Sequence, residues 1–283
     1  MRRWQDLLAT PNLKVLLVVA HPDDESECAA TLYRLTHELG GVVDQLVVTN
    51  GEAGHRFSEP ALAWYGLSAA DMAKQLPSLR REELARAGRI LGIRDHYFLD
   101  QPDTGFTLDP SEGLRAWDIP FVRSELRRLL YREQYDLVLT LLPEPGTHGH
   151  HQTVAVLALE AVEELPSERR PAVAGVRTGS STKPQFDELP DFPSTRALSR
   201  QPLWAFDRRT PLTSNNALDH SIIVHWVIAE HKSQGMFQME YGRHSHEYFW
   251  PFAIGSTDAD VQPSKPWHSF FTVASQLVHA GVL

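Results

Sequence analysis

Short, unbroken apolar runs punctuate the first half of the chain, and each gives way to a polar turn and then to residues with helical spacing. Leu13 to Ala20 (LKVLLVVA) and Val42 to Thr49 are β-branched and show no polar alternation, the pattern of strands covered on both faces. His96 to Leu99 is a shorter run, and Tyr135 to Leu142 (YDLVLTLL) repeats the two-face pattern. Between them, Cys28, Ala29, Leu32, Leu35 and Leu39 recur at helical spacing up to Gly40-Gly41. Ser78 is the expected N-cap of a helix running through Leu84, Ala87 and Leu91 to Gly92. Phe121 to Tyr131 and Thr147 to Leu165 carry further amphipathic helices. Strands alternating with helices at this spacing predict an α/β fold built on an open, mostly parallel sheet with right-handed crossovers. Residues 51–77 read as a long connection with a short helix, the behaviour of a loop near a site.

The pattern weakens after about residue 166. Residues 178–215 are rich in Ser, Thr, Pro and Asp and read as irregular, with a strand at Leu203 to Phe206; Asp219 to Gln234 is helical again. The expectation is one domain over residues 1–283, with a core at about 13–165 and a decorated, irregular C-terminal part at about 166–283. A formal net charge of -9 and the lack of a Lys/Arg block argue against a nucleic-acid partner. No apolar run approaches the roughly 20 residues that cross a bilayer. Arg2-Arg3 is followed by Asp6, Asn12 and Lys14, which interrupt any signal-peptide apolar region. With the single cysteine, Cys28, this leads to the expectation of a cytoplasmic protein without a transmembrane segment, and Cys28 itself reads as a small buried apolar residue. A homo-oligomer is compatible with everything read.

The 14 histidines carry the informative excess. His21-Pro22-Asp23-Asp24-Glu25 follows the first strand, so it falls in the crevice outside the carboxyl ends of the strands, where α/β sheets bind ligands. If Pro22 opens the helix, His21 and Asp24 stand three residues apart and converge; acidic residues in a first turn also simply complement the helix dipole. Thr147-His148-Gly149-His150-His151 follows the fourth run at the same end of the sheet and at another helix N-terminus, which disfavours imidazolium and keeps His151 neutral, as a metal ligand requires. Two histidines and one carboxylate with open positions form a catalytic zinc arrangement, and the same donors serve non-haem Fe(II). Asp23 is then a carboxylate beside the site that takes the proton of the attacking water, and His148 is the candidate to stabilise an oxyanion or protonate a leaving amine.

The ordered set A-H-P-D-D-E (Ala20–Glu25), T-N-G-E-A-G (Thr49–Gly54), an R-x-x-E helix ending L-G (Arg80, Glu83, Leu91, Gly92), P-D-T-G (Pro102–Gly105), H-x-x-H (His148–His151) and H-x-S-Q (His231–Gln234) resembles the LmbE-like / PIG-L family of metal-dependent sugar N-deacetylases. The resemblance covers most of the chain to about residue 165, with a fainter return at 219–234. It implies a Rossmann-like fold and Zn2+ held by His21, Asp24 and His151. It also implies Asp23 as general base, His148 as acid or oxyanion partner, and hydrolysis of an N-acetyl group from an amino sugar. Family members usually carry Asp where this chain has His150, an exchange expected to alter how His148 is tuned.

Arg80 resembles a family arginine that holds a sugar hydroxyl or phosphate; a solvated first-turn arginine is the alternative. Asp103 is a second candidate for a sugar hydroxyl, or simply a turn residue. His231 reads as a packing residue or one behind the ligands, Glu25 as a brace for the site, and Glu27 as an ordinary first-turn acid. His244 and His246 read as surface or interface residues, and Tyr248 and Trp250 as stacking platforms for a sugar ring, within an aromatic tail that includes Tyr241, Trp267, Phe270 and Phe271. Two other readings are an Fe(II) enzyme on the same triad and a non-catalytic sugar-binding protein. A nucleotide-binding Rossmann enzyme is disfavoured because no G-x-G-x-x-G follows the first strand. The small-molecule substrate stays open between a thiol-cofactor precursor, a lipid-linked or nucleotide sugar and a chitin fragment.

Overall fold

The computed structural model describes residues 13–180, 184–235 and 242–254. The expectations placed on Arg2-Arg3, Tyr241, Trp267, Phe270 and Phe271 lie outside them. Seven strands form one sheet: β1 (Lys14–Val19), β2 (Val42–Thr49), β3 (Ile93–Gln101), β4 (Leu137–Leu141), β5 (Ala172–Gly179), β6 (Trp204–Asp207) and β7 (His246–Pro251). The spatial order is β3-β2-β1-β4-β5-β7-β6. β3, β2, β1, β4 and β5 are mutually parallel, and β7 runs antiparallel to both β5 and β6.

The absence of polar alternation in β1 has a direct cause. Val15, Leu17 and Val19 pack with Cys28, Leu32, Leu84 and Val224 on one face, while Leu16, Val18 and Ala20 pack with Val122, Leu126, Val154 and Leu157 on the other. Helices α1 (Ala29–Tyr33), α3 (Ala69–Leu91) and α7 (Ser221–Glu230) supply the first layer. α5 (Ile119–Glu133) and α6 (Gly149–Glu163) supply the second; α2 (Leu62–Tyr65) and α4 (Ser111–Ala116) are short.

Four sequence expectations need correction. The helix expected from Ser78 starts ten residues earlier: Ser68 caps α3 by accepting from Asp71 N, and Pro77 lies inside the helix. The buried stripe Met72, Leu76, Arg80, Leu84, Ala87, Leu91 runs unbroken past Pro77, and Ala73, whose carbonyl loses its partner there, is exposed. The segment after Pro22 is not one helix but a 3-10 turn (Asp24–Cys28), α1 and a π turn (Arg34–Glu38), and Pro22 lies ahead of it. The C-terminal third contributes β5, β6 and β7 to the sheet, so its irregular parts are the connections between strands. Trp250 and Tyr248 are buried in that sheet among Leu142, Val173 and Phe252, where they cannot stack on a sugar.

Candidate metal centre

The strand order reverses between β1 and β4, since β1 leads on to β2 on one side and β4 to β5 on the other. That switch point opens a crevice at the carboxyl ends of the two strands. His21 leaves the end of β1 and His148 to His151 follow β4, so the topology brings residues about 130 positions apart face to face. A cleft of about 470 Å³ lies there, lined by His21, Asp23, Asp24, Arg80, Asp103, His148 and His151 among others.

His21 Nδ1 stands 3.1 Å from His151 Nε2. Asp24 Oδ1 is 3.2 Å from His151 Nε2, and Asp24 Oδ2 is 3.7 Å from His21 Nδ1. Asp24 is held in place by the amides of Ala20 (3.1 Å) and His21 (2.9 Å), which donate to its Oδ2. Burial opposes its ionisation, yet the His151 and His21 imidazoles hold its carboxyl well below the ordinary range. Two imidazole nitrogens and one carboxylate oxygen aimed at a common point fit Zn2+ or Fe2+, which accept this donor set.

Asp23 is turned away from its neighbour by an unusual backbone: φ is 144°, a value that non-glycine residues rarely adopt. Its buried carboxylate meets Arg80, whose Nη2 lies 2.9 Å from Asp23 Oδ1. Burial raises the Asp23 carboxyl above its ordinary value, and Arg80 works against that rise. Arg80 is neither a first-turn nor a solvated residue. It sits in the middle of α3, buried, and donates to the carbonyls of Gly51 and Pro22 at 2.8 Å each. Gly51, with φ +66°, makes room for it: a Cβ there would run into the guanidinium.

His148 caps α6, its Nδ1 accepting from His150 N at 3.0 Å. A neutral His148 therefore carries its proton on Nε2. Burial, reinforced by repulsion from His21, His151 and His150, holds its imidazole down to about 2. Gly149 between them is required by close approach, because a Cβ would lie 2.5 Å from the Asp109 carbonyl oxygen. Asp103 reaches the cleft from the turn after β3, where its carboxylate accepts from the amides of Ala53 (3.2 Å) and Gly105 (3.0 Å).

His231 lies behind the site, fully buried and hydrogen-bonded to Glu25. Ser233 donates to Glu83 (amide 2.8 Å, hydroxyl 2.6 Å), and Gln234 donates to the Gly54 carbonyl at 3.0 Å. Each polar residue of H-x-S-Q thus fastens a different one of the earlier motifs. Glu27 is more than a first-turn acid: it accepts from Thr178 N at 2.9 Å and lines the cleft. Cys28 is buried, as expected. His246 bears on β7, and His244 Nδ1 lies 2.8 Å from Thr178 Oγ1.

Sequence reasoning missed two features of the cleft. Phe106, 76% exposed, stands at its mouth with its ring edge-on to His148 at 5.2 Å; its position directly after Pro102–Gly105 was the available signal. The His150 side chain reaches His21 as well as lying beside His148: 3.3 Å separates His150 Nδ1 from His21 Nε2, and 4.6 Å separates the His150 and His148 ring centroids; only the fold shows this.

Comparison with known proteins points the same way. The chain is 27% identical over 162 residues to a probable N-acetyl-alpha-D-glucosaminyl L-malate deacetylase 2 of Bacillus cereus, covering 57% of this chain and 66% of that one. It is 40% identical over 147 residues to the 1D-myo-inositol 2-acetamido-2-deoxy-alpha-D-glucopyranoside deacetylase of Thermobispora bispora, covering 48% and 46%. It thus spans between about half and two thirds of the length of these relatives. Among solved structures, the N,N'-diacetylchitobiose deacetylase from Pyrococcus horikoshii shares the fold, with a TM-score of 0.53 at 20% identity over 86% of this chain and 84% of that one. The model of the family described as PIG-L, GlcNAc-PI de-N-acetylase, matches residues 16–162, from within β1 almost to the end of α6. Since that stretch is just over half of the 283 residues and holds both halves of the crevice, the chain belongs to the PIG-L family.

Proposed function

We propose that the protein is a metal-dependent amidohydrolase that removes the N-acetyl group from an N-acetylglucosamine-type sugar or conjugate. The curated relatives named above are deacetylases of such sugars, which supports the reading. The observation that carries it is the meeting of His21 Nδ1, Asp24 and His151 Nε2 at one point, with the carboxylate of Asp23 turned aside from them by its backbone.

His21, Asp24 and His151 would hold the cation, Zn2+ in our reading, with Fe2+ compatible with the same donors. When bound, such an ion supplies Lewis acidity, which makes water a nucleophile near neutral pH and polarises the acetamide carbonyl. Asp23 takes the proton of the attacking water and returns it to the amine nitrogen as the C–N bond breaks. Arg80 keeps the Asp23 carboxylate in place and compensates its burial. His148, neutral and anchored through Nδ1, presents its Nε2–H to the carbonyl oxygen as negative charge develops there. Asp103 keeps acceptor capacity for a sugar hydroxyl, and Phe106 offers an apolar face at the mouth.

The test is acetate release from a panel of N-acetylglucosamine conjugates by metal-reconstituted protein, run without oxygen. Release in wild type and its loss in Asp23→Asn, with the metal content unchanged, is the expected result. Equal turnover in the two proteins would overturn the base assignment. Sugar binding without acetate release would favour a non-catalytic binder, and strict dependence on O2 would favour an Fe(II) oxidation.

A further inference from the structure

His150 is fully buried and does not itself line the cleft, yet it stands at the back of a proposed ligand that does. Its Nδ1 is 3.3 Å from His21 Nε2 and its Nε2 is 3.0 Å from Thr104 Oγ1. The Trp117 ring lies against it, 5.1 Å between centroids, and Trp117 is itself pinned by its Nε1–H to the Pro102 carbonyl at 2.9 Å.

The proton positions along this row follow from one requirement. If His21 offers the Nδ1 lone pair to a cation, its proton must sit on Nε2, because a neutral imidazole carries only one. That N–H faces His150 Nδ1, which must then accept, so the His150 proton sits on Nε2 and is donated to Thr104. Both imidazole donors in the row point away from the proposed cation, and the row ends on the Thr104 hydroxyl. The reverse order would place the His150 proton on Nδ1, drive the His21 proton onto its own Nδ1 and remove a donor from the cation. Asp103 Oδ1 lies 3.6 Å from His150 Nδ1, beyond a hydrogen bond, and is bound to the Gly105 amide.

We propose that His150 is a positioning residue that selects the cation-binding tautomer of His21, through the row His21–His150–Thr104. The proposal rests on the reading of His21, Asp24 and His151 as the cation site. A neutral imidazole in this place orients His21 without adding a buried charge behind it, and partners of this kind are worth about 10–100-fold in metal affinity.

The experiment measures Zn2+ affinity of the metal-stripped full chain by competition with a chromophoric chelator, with the denaturation midpoint of the stripped protein recorded alongside. His150→Leu keeps the volume and removes the acceptor; a loss of about 10–100-fold in Zn2+ affinity is expected. His150→Asn places an amide oxygen near the Nδ1 position and should recover most of it at equal apo stability. Affinity unchanged in His150→Leu, or lost equally in His150→Asn, would overturn the proposal. Thr104→Val supplies a second variant, with a smaller loss expected, and no change counting against the row. Nitrogen-15 imidazole spectra of the Zn2+-loaded wild type should show His150 protonated on Nε2; protonation on Nδ1 would refute the assignment. Asp103, His148 and His150 also lie close enough to His21 to surround an ion, so a second tight Zn2+ that disappears in His150→Leu would likewise refute it. If His151→Ala leaves affinity unchanged, the cation-site reading itself fails, independently of what the His150 variants do.

Discussion

Replacing Glu247 by Ala tests whether β7 holds up the turn that carries the proposed ligands His21 and Asp24. The Glu247 carboxylate is fully buried and accepts four hydrogen bonds, from the amides of Ala30 (3.0 Å) and Thr31 (2.9 Å), the Thr31 hydroxyl (2.6 Å) and Arg208 Nε (3.0 Å). Arg208, equally buried, also donates to the Ser26 carbonyl at 3.0 Å. The first two donors are the opening amides of α1, where a carboxylate meets the positive end of the helix. Deleting one partner of a buried pair costs about 3–5 kcal/mol, mostly through the charge left behind. An unfolding entropy of about 0.6 kcal/mol per degree for a chain of this length turns that into a fall of roughly 5–8 °C in Tm. Urea denaturation followed by tryptophan fluorescence reads the loss directly. The double variant Glu247→Leu with Arg208→Met removes both charges and should recover about half, because the α1 amides still lack their acceptor. A loss below about 1 kcal/mol in Glu247→Ala, or a double variant as unstable as the sum of its singles, would refute this account of the pair.

Three other outcomes follow from the same geometry. Asp23→Asn should lower kcat by about 10²–10⁴ with Zn2+ affinity near that of wild type, measured by acetate assay and chelator competition. Gly51→Ala puts a Cβ into the Arg80 guanidinium at a φ of +66°, so about 1–3 kcal/mol of stability and most of the turnover should be lost; unaltered kinetics would show that Arg80 does not need this berth. His231 is buried, which opposes its protonation, but Glu25, with Asp23 and Glu83, raises its imidazole above the ordinary value. The stabilisation from that raised value is complete below the unfolded pKa of about 6.5 and fades as pH climbs through the folded one. The stability gap between wild type and His231→Gln should therefore narrow as pH rises above about 6.5, as denaturant midpoints would show; a widening gap would reverse the sign of the argument.

What could be read in advance depended on where each element finds its partners. β1, β2 and β4 are covered on both faces, so their runs of Val and Leu announce them. β5 (AVAGVRTG) escaped notice because its small residues suit a crowded position: a Cβ on Gly175 would lie 2.7 Å from Leu142. β7 joins β5 antiparallel from some seventy residues away with no alternation of strand and helix to mark it, so its aromatics looked like a binding tail. At the site, the proposed ligands His21 and Asp24 were legible because they sit on a single turn, and His151 because it shares one with His148. Their supports were not. Arg80 meets Asp23 across 57 positions and His150 meets His21 across 129, contacts that no local spacing encodes.

Those supports explain why the motifs come as a set. Glu25 is bound by His231, Glu83 by Ser233 and Tyr65, Asp23 by Arg80, and the Gly54 carbonyl by Gln234. Every one of these acids is buried, and an isolated buried carboxylate would take up a proton or draw in water. The partner supplied from a distant motif is what satisfies each buried carboxyl beside the crevice. The cost is mutual dependence: a change at Ser233, far along the chain, reaches the turn at His21–Glu25 through Glu83 one helical turn from Arg80, and hence through Asp23. Buried groups coupled in this way depart from additivity by about 0.5–3 kcal/mol. Ser233→Ala combined with Asp23→Asn should therefore cost less stability than the two singles summed, and strict additivity in that cycle would mean that the motifs are neighbours without being a network.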